Sequence, residues 1–138
     1  MDYVVDFSFA ACWFVSDEDN PSGQRLLSLH KSGNADLVCP ELWQFELLNF
    51  LALSRRRGRM SADAIEDSLL LLSRLKIHFH SQKEAVVAAR VLKFAESYRL
   101  TGYDAAYLEI ADRLQIPLLT LDSDLLSAAK KRSLRTSI

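Results

Sequence analysis

This chain of 138 residues has almost no net charge, only two cysteines and no long apolar run. The formal net charge is only −1, so any binding of nucleic acid would depend on local basic patches or on metal ions. The two cysteines, Cys12 and Cys39, stand in apolar surroundings, which favours reduced buried thiols over a disulfide or a metal site. No glycine-rich phosphate loop is present, which argues against nucleoside-triphosphate chemistry.

Signals for export or membrane insertion are also missing from the sequence. The first ten residues, MDYVVDFSFA, carry an acid where a secretory signal would carry lysine or arginine. No apolar run approaches the length that spans a bilayer. We therefore expect a cytoplasmic protein without a membrane segment. The composition, 49% apolar and 25% charged, is typical of a globular protein, and the length suits one domain.

Segments typical of strands alternate along the chain with segments typical of helices. The expected strands are YVVDF, ADLVCP, KIHFH and IPLLTLD. The expected helices are FAACWFV, SGQRLLSLHKSG, ELWQFELLNFLALSRRRG, SADAIEDSLLLLSRL, SQKEAVVAARVLKFAESY, GYDAAYLEIADRLQ and SDLLSAAKKR. This alternation predicts an α/β fold, in which a mainly parallel sheet is flanked by helices as a three-layer sandwich. It leaves the strand order open.

Side-chain patterns in three of these helices predict which groups cap and which are buried. Ser8 is expected to cap the first helix through its hydroxyl. The helix that starts at Glu41 is apolar around most of its circumference, which predicts burial. The helix that follows KIHFH is expected to have one apolar side, formed by Ala85, Val86, Ala89, Leu92 and Phe94.

Most acidic residues lie in predicted turns or on polar helix faces, and we interpret them as solvated surface groups: Asp17, Glu18, Asp19, Asp63, Glu66, Asp67, Glu84, Glu96 and Asp112. Four other acids lie in apolar surroundings, where an unpaired ionised carboxylate costs free energy. Asp6 and Asp122 each end an apolar strand, and ligands of parallel sheets bind beyond the carboxyl ends of strands. Glu46 lies within LWQFELLNFL, and Asp104 lies in the first turn of GYDAAYLEIA.

Each of these four acids also has a purely structural explanation to weigh. Asp104 could interact only with the helix dipole, Asp6 could be a turn or capping acid, and Asp122 could cap the last helix. Glu46 is harder to explain in this way, because no lysine or arginine lies three or four residues from it. Its nearest polar neighbour at helical spacing is Asn49.

Carboxylates gathered in one pocket repel one another, so some would protonate unless a cation neutralised them. No cysteine or histidine accompanies the four acids, so all the possible ligand atoms are oxygens. Such a set favours Mg²⁺ or Mn²⁺ over zinc. Such an ion can lower the pKa of a bound water and hold a phosphate oxygen. Phosphodiester hydrolysis is therefore the reaction class that the acids indicate.

Three stretches carry a resemblance to a known family: VVDFSFAACWF, VCPELWQFELLNFL and YDAAYLEIADRLQIPLLTLDSDL. With them the chain resembles a PIN domain, and more closely a VapC-type toxin of a toxin–antitoxin pair. The resemblance covers nearly the whole chain, which implies a single PIN domain over residues 1–138. The late stretch, with YDAAYLEIA and a strand that ends in Thr-Leu-Asp, is the most specific of the three.

The resemblance implies a role for each matching position of this chain. It places the family's acidic quartet, which binds one or two Mg²⁺ or Mn²⁺ ions and activates water for RNA cleavage, on Asp6, Glu46, Asp104 and Asp122. Ser8 and Thr120 match hydroxyl positions that support the acids, and Asn49 matches the position that steadies the glutamate. Asp124 matches a position that is acidic in only some members, so we rank it as auxiliary. The family further implies a homodimer and an antitoxin of VapB type, whose C-terminal segment occupies the active-site groove.

Two basic segments and three histidines have more than one interpretation. The RRRGR cluster, with Arg55, Arg56, Arg57 and Arg59, could contact RNA phosphates or an acidic antitoxin segment, or could merely suit a helix C-terminus. KKRSLR near the end is better explained as a solvated face. His30, His78 and His80 have no partner at ligand spacing, so surface or sheet-edge roles are favoured over catalysis.

Two alternatives to a nuclease remain open from the sequence. A signalling receiver domain also places acids at strand ends, but it needs adjacent acids after the first strand, a phosphorylated aspartate in mid-chain and a lysine after a late strand. In this chain the mid-chain acid lies inside a helix, and the lysine is missing. A PIN-like module that binds RNA or protein without cutting is the second alternative, against which the intact quartet argues.

Overall fold

A four-stranded parallel sheet lies at the centre of the fold in this computed structural model, which describes residues 1–138. In chain order the strands are β1 (Asp2–Val5), β2 (Asp36–Pro40), β3 (Ile77–His80) and β4 (Leu118–Leu119). Their order in the sheet is β3-β2-β1-β4, and every neighbouring pair is parallel. The predicted α/β fold is confirmed, and the strand order is now known.

Seven α-helices connect and cover these strands. They are α1 (Phe7–Ala10), α2 (Pro21–Lys31), α3 (Leu42–Arg56), α4 (Ala62–Arg74), α5 (Ala85–Tyr98), α6 (Gly102–Leu114) and α7 (Ser123–Lys131). A short 3₁₀ turn at Ala11–Trp13 follows α1. Asn20, Ser61 and Thr101 cap α2, α4 and α6, because each side chain accepts a first-turn backbone N–H.

Helix α6 is the most deeply buried helix, with every residue from 105 to 112 buried. Its Glu109 is completely buried, and the sequence argument did not single it out. The Arg113 Nε donates to Glu109 Oε1 at 2.8 Å, and the Arg90 Nε lies 3.6 Å from the same oxygen. A buried carboxylate needs such partners, because an isolated charge in the interior is very costly.

Asp112 corrects one expectation from the sequence, since it is buried rather than solvated. The Arg90 Nη2 of α5 lies 3.2 Å from one of its oxygens, and the Arg132 Nη2 lies 2.8 Å from the other. These partners come from a different helix and from the residue after α7, so sequence spacing could not reveal them. The ion pairs tie three helical segments together.

The cap at the first helix also differs from the expectation. Asp6 occupies the N-cap position of α1, no side chain bonds a first-turn N–H there, and Ser8 lies inside the helix. The Ser8 hydroxyl donates instead to the Asp6 carboxylate at 2.5 Å. The serine is thus a partner of an acid and not a helix cap.

Two helices expose apolar side chains that the sequence patterns assigned to the interior. In α3, Phe45 is 73% exposed and Leu48 is 39% exposed, while Trp43, Leu47 and Leu51 face the core. In α5, the predicted inward side is wrong, because Val86 is 67% exposed and Leu92 is 59% exposed. Of the predicted set only Phe94 faces the core, in a stripe at helical spacing with Val91, Ala95 and Tyr98.

Both cysteines are buried and free, as the composition suggested. Burial raises the pKa of both thiols, most strongly for Cys39. None of the helices combines the length and the apolarity that crossing a bilayer requires.

Candidate active site

The sheet places Asp6 and Asp122 at the same edge. Strands β1 and β4 are parallel neighbours with Val5 opposite Leu119, and the Asp6 N–H donates to the Leu119 carbonyl at 2.9 Å. Both acids therefore follow the carboxyl ends of adjacent strands, where parallel sheets bind ligands. The sequence indicated that each acid ends a strand, and the strand order, which it left open, makes the two strands neighbours.

Asp6 is held by two hydroxyl groups on one carboxylate oxygen. Its Oδ2 accepts from the Ser8 Oγ at 2.5 Å and from the Thr120 Oγ1 at 2.7 Å. Asp6 is only 5% exposed. Burial raises the pKa of its carboxyl, and the two hydrogen bonds act in the opposite direction by stabilising the charged form. The hydroxyls fix the orientation of a carboxylate that water cannot readily reach.

The same hydroxyls connect Asp6 to the loop that carries Asp122. The Ser8 Oγ accepts the Leu121 N–H at 3.0 Å, and the Thr120 Oγ1 accepts the Asp122 N–H at 3.0 Å. Each hydroxyl thus donates to Asp6 and accepts from the backbone beyond β4. The positions of Asp6 and Asp122 are therefore mechanically linked.

Glu46 is oriented by a residue that the sequence argument missed. The hydroxyl of Tyr107 on α6 donates to the Glu46 Oε2, and Tyr107 is completely buried. Asn49, the expected partner, is exposed and makes no such bond. Tyr107 lies three residues after Asp104 on the same helix, and this spacing places both side chains on one face. That relation was readable from YDAAY.

The pKa of Glu46 is the most strongly shifted among the acids of the site. Burial raises its pKa to about 7, and the nearby charges of Asp6 and Asp104 act in the same direction, while the Tyr107 hydrogen bond opposes them. Burial likewise raises the pKa of Tyr107, so its hydroxyl remains a donor. Like charges within interaction range are the signature of acids brought into one pocket.

Asp104 completes the group from the first turn of α6. Burial is the largest cause that raises its pKa, and the charges of Asp122, Asp6 and Asp124 raise it further. Asp122 caps α7 by accepting the Leu125 N–H at 2.8 Å, which confirms the capping role considered for it from the sequence. Asp124 follows in the first turn of α7 and is exposed.

The donor chemistry of these acids fits a hard divalent cation. None of the five carboxylates forms an ion pair with a lysine, arginine or histidine of the chain. Their negative charges are therefore uncompensated, and all their ligand atoms are oxygens, as Mg²⁺ or Mn²⁺ prefers. No three histidine, cysteine, aspartate or glutamate side chains stand close enough to enclose an ion as they are placed here. Mutually repelling carboxylates would resist forming such a cage without the cation.

Comparison with known proteins identifies the family. The PIN domain family matches residues 3–131 of the chain. The chain belongs to the PIN domain family. A curated relative, Ribonuclease VapC3 of Pyrobaculum aerophilum, is 30% identical over 129 residues, which cover 91% of this chain and 92% of that protein. The resemblance to VapC-type PIN domains that the sequence motifs suggested is confirmed.

Solved structures agree with the PIN fold. The crystal structure of PAE2754 from Pyrobaculum aerophilum has a TM-score of 0.66 at 24% identity, covering 100% of this chain and 91% of that one. VapBC2 from Rickettsia felis, solved with a DNA fragment from its promoter, also has a TM-score of 0.66, at 18% identity and with 99% and 98% covered. At these identities the likeness concerns the fold alone.

The basic cluster of this PIN domain lies at the far end of α3 from the acids. Arg56 is ten residues after Glu46, which corresponds to about 15 Å along a helix. Arg59 is engaged within the chain, with its Nη2 at 2.9 Å from both Asp17 and Glu18. Arg55, Arg56 and Arg57 are exposed at the helix end. The cluster is therefore separate from the acid site, and one of its members is already neutralised.

Proposed function

We propose that this PIN domain is a metal-dependent endoribonuclease, acting in the cytoplasm as the toxin of a toxin–antitoxin pair and limiting growth by cutting RNA. The observation that carries the proposal is the group of uncompensated carboxylates at the carboxyl edge of the sheet, with the pKa of Glu46 raised to about 7. The VapC3 relative, which is named a ribonuclease, supports RNA as the substrate class.

In this proposal Asp6, Glu46, Asp104 and Asp122 hold one or two Mg²⁺ or Mn²⁺ ions. When bound, such an ion lowers the pKa of water and neutralises charge on a phosphate oxygen. The chain itself supplies orientation. Ser8 and Thr120 fix the Asp6 carboxylate, and the Tyr107 hydroxyl fixes Glu46. Fixing carboxylates in advance reduces the reorganisation that a reaction would otherwise require.

The deciding experiment measures cleavage of single-stranded RNA by the purified protein in Mg²⁺, in Mn²⁺ and in EDTA. We expect cleavage with either ion and none in EDTA, because uncompensated carboxylates alone repel the substrate. The Asp104→Asn protein is the matched control, since it keeps the side-chain shape and removes one charge. Induced expression should slow growth for the wild type and not for this variant. A wild type that binds RNA yet leaves it intact with both ions contradicts the proposal and favours a non-cutting module.

Asp122 and Asp124 are expected to differ in importance, although they lie two residues apart. Asp122→Asn should lower the cleavage rate at least about tenfold more than Asp124→Asn, given that outer partners of a metal site typically cost about 10–100-fold and direct ligands more. Asparagine is also a good N-cap, so Asp122→Asn removes the charge while keeping the start of α7. Initial rates of both variants, with melting temperatures as a check on folding, give the comparison. Equal losses would mean that both acids bind the ion directly.

We further propose a homodimer and a VapB-type antitoxin as partners. The exposed Phe45 and Leu48 of α3 are apolar side chains that a partner surface would cover. The Rickettsia felis structure with a similar fold is of VapBC2 bound to promoter DNA, which supports the expectation of an antitoxin.

A further inference from the structure

Three adjoining surface cavities of about 300, 470 and 280 Å³ lie along α5 and α7. The first lies between the two helices, and its wall contains Asp124, two residues after Asp122. It shares Tyr98 with the third cavity, and Ser127 and Lys131 with the second, whose wall consists of α7 residues alone. The three cavities together are here called the α5–α7 groove.

The α5–α7 groove is strongly cationic although the chain as a whole has a net charge of −1. Its walls contain the carboxylates Asp112 and Asp124 and six cationic side chains: Arg90, Lys93, Arg99, Lys130, Lys131 and Arg132. Arg90 and Arg132 are paired with Asp112. The other four cations are exposed and form no ion pair within the chain. They are free to bind an external anion.

The dipole of a helix explains only part of this charge. Lys130 and Lys131 lie in the last turn of α7, where cations are favoured in any protein. Lys93 lies in the middle of α5, where the dipole gives no such preference. Arg99 ends α5 in the left-handed region, at φ 54° and ψ 42°, a position that glycine would occupy with less strain.

We propose that the α5–α7 groove binds the phosphate backbone of single-stranded RNA as it passes the acid site, an inference that rests on the proposed nuclease function. The groove begins at Asp124, two residues after Asp122 in the first turn of α7. Lys131 lies nine residues after Asp122, which corresponds to about 14 Å along a helix, so a strand bound at the acids can reach it within a few nucleotides. The alternative cluster at Arg55–Arg57 lies at a similar distance, about 15 Å from Glu46 along α3, and the experiment below therefore compares the two.

Single-stranded RNA fits this groove better than an acidic peptide does. Its phosphates repeat at every nucleotide, so one strand can contact successive cations and the acid site at once. Half-buried Tyr98, whose ring packs against Phe94, borders two of the cavities, where its exposed part can contact a base. The acid site also repels an RNA strand, and a cationic groove next to it offsets that repulsion.

The test measures binding of a fluorescein-labelled single-stranded RNA by the full-length Asp104→Asn protein in Mg²⁺, so that cleavage does not interfere. Anisotropy titrations at several salt concentrations give Kd and its salt dependence. Adding Lys130→Gln and Lys131→Gln should weaken binding about tenfold and make the slope of log K against log salt shallower by about 1.4, as expected for two lost phosphate contacts. The matched control is Lys31→Gln with Lys76→Gln, two exposed lysines near the opposite edge of the sheet, for which we expect no change.

Arg99→Gly separates binding from folding. We expect it to raise the melting temperature, because glycine adopts the left-handed conformation freely, and yet to weaken RNA binding about threefold. Gln115→Gly replaces the residue after α6, which has the same φ and ψ, and should leave RNA binding unchanged. A loss of stability together with affinity in Arg99→Gly would assign this arginine a structural role and overturn its part in the groove.

The remaining outcomes distinguish the groove from the nuclease proposal. If the Lys130 and Lys131 variants bind RNA like the wild type, or if Arg55→Gln with Arg56→Gln costs more affinity, the groove inference fails even when wild-type cleavage proceeds. If the lysine variants lose affinity for an acidic peptide and keep their affinity for RNA, the groove belongs to a protein partner and the inference is again overturned. If the groove variants lose RNA affinity while the wild type never cleaves, the groove stands and the nuclease proposal fails.

Discussion

RNA cleavage is expected to fall at least about a hundredfold when Asp6 is replaced by asparagine, which corresponds to about 2.7 kcal/mol of lost transition-state stabilisation. Asp6 is the most buried carboxylate of the proposed site, and both hydroxyl partners bond the same one of its oxygens. Asparagine has nearly the same shape but carries no charge and presents an amide on one side. The variant should therefore fold while binding a divalent cation poorly. Initial rates in Mg²⁺ and the rise of melting temperature with Mg²⁺ measure the two effects separately.

Thr120→Val and Ser8→Ala provide the matched controls for Asp6. Each removes one hydroxyl that orients Asp6 and that accepts a backbone N–H near Asp122, while leaving every carboxylate in place. Losing such a supporting partner typically costs about 10–100-fold in metal affinity or activity, so these variants should retain more activity than Asp6→Asn. An Asp6→Asn protein with wild-type rates and a wild-type response to Mg²⁺ would show that Asp6 has only a structural role.

Glu46→Gln is expected to abolish most cleavage and, in the absence of divalent ions, to stabilise the fold at alkaline pH. The pKa of Glu46 is about 7 in the folded protein and 4.5 in an unperturbed glutamate. The folded state thus binds this proton more tightly than the unfolded state does, so the free energy of unfolding falls as pH rises from about 4.5 to about 7. Glutamine removes this loss and can still accept the Tyr107 hydrogen bond.

The expected gain for Glu46→Gln at pH 8 is about 1–2 kcal/mol, since Glu46 is partly exposed and solvent screens the full effect of the shift. Urea unfolding at pH 8 and at pH 4.5 measures it, and the gap between wild type and variant should nearly close at the lower pH. Mg²⁺ should stabilise the wild type more than the variant, because only binding to the folded state contributes. A variant no more stable than the wild type at pH 8 would mean that ionising Glu46 in the folded protein has no free-energy cost.

Local patterns predicted the secondary structure and much of the candidate site. The four strands and six of the seven helices occur where alternation, caps and proline placed them, whereas α1 begins at Phe7, two residues before the expected first helix. Asp6 and Asp122 were each predicted beyond the carboxyl end of a parallel strand, and the structure decided that these two strands, β1 and β4, are neighbours. The motif around Asp104 and the apolar context of Glu46 indicated the other two acids. The roles of all four as metal ligands remain a prediction.

Contacts between distant segments could not be predicted in the same way. Glu109 and Asp112 were not recognised as buried because two of their partners, Arg90 and Arg132, are about twenty residues away in sequence. The exposed apolar residues of α3 and α5 were misjudged because composition shows that a helix is apolar and not which side a neighbour covers. The predicted interior face of α5 failed for this reason.

The sequence by itself determined the α/β class and the family and singled out the four acids as candidates, because strand periodicity, motif order and charge in apolar surroundings are all local properties of the chain. Only the tertiary structure decided which groups orient those acids and where free positive charge lies beside them. Tyr107 meets Glu46 across 61 positions, and Thr120 meets Asp6 across 114. Such pairs depend on how helices and strands pack, and packing is a property of the whole chain.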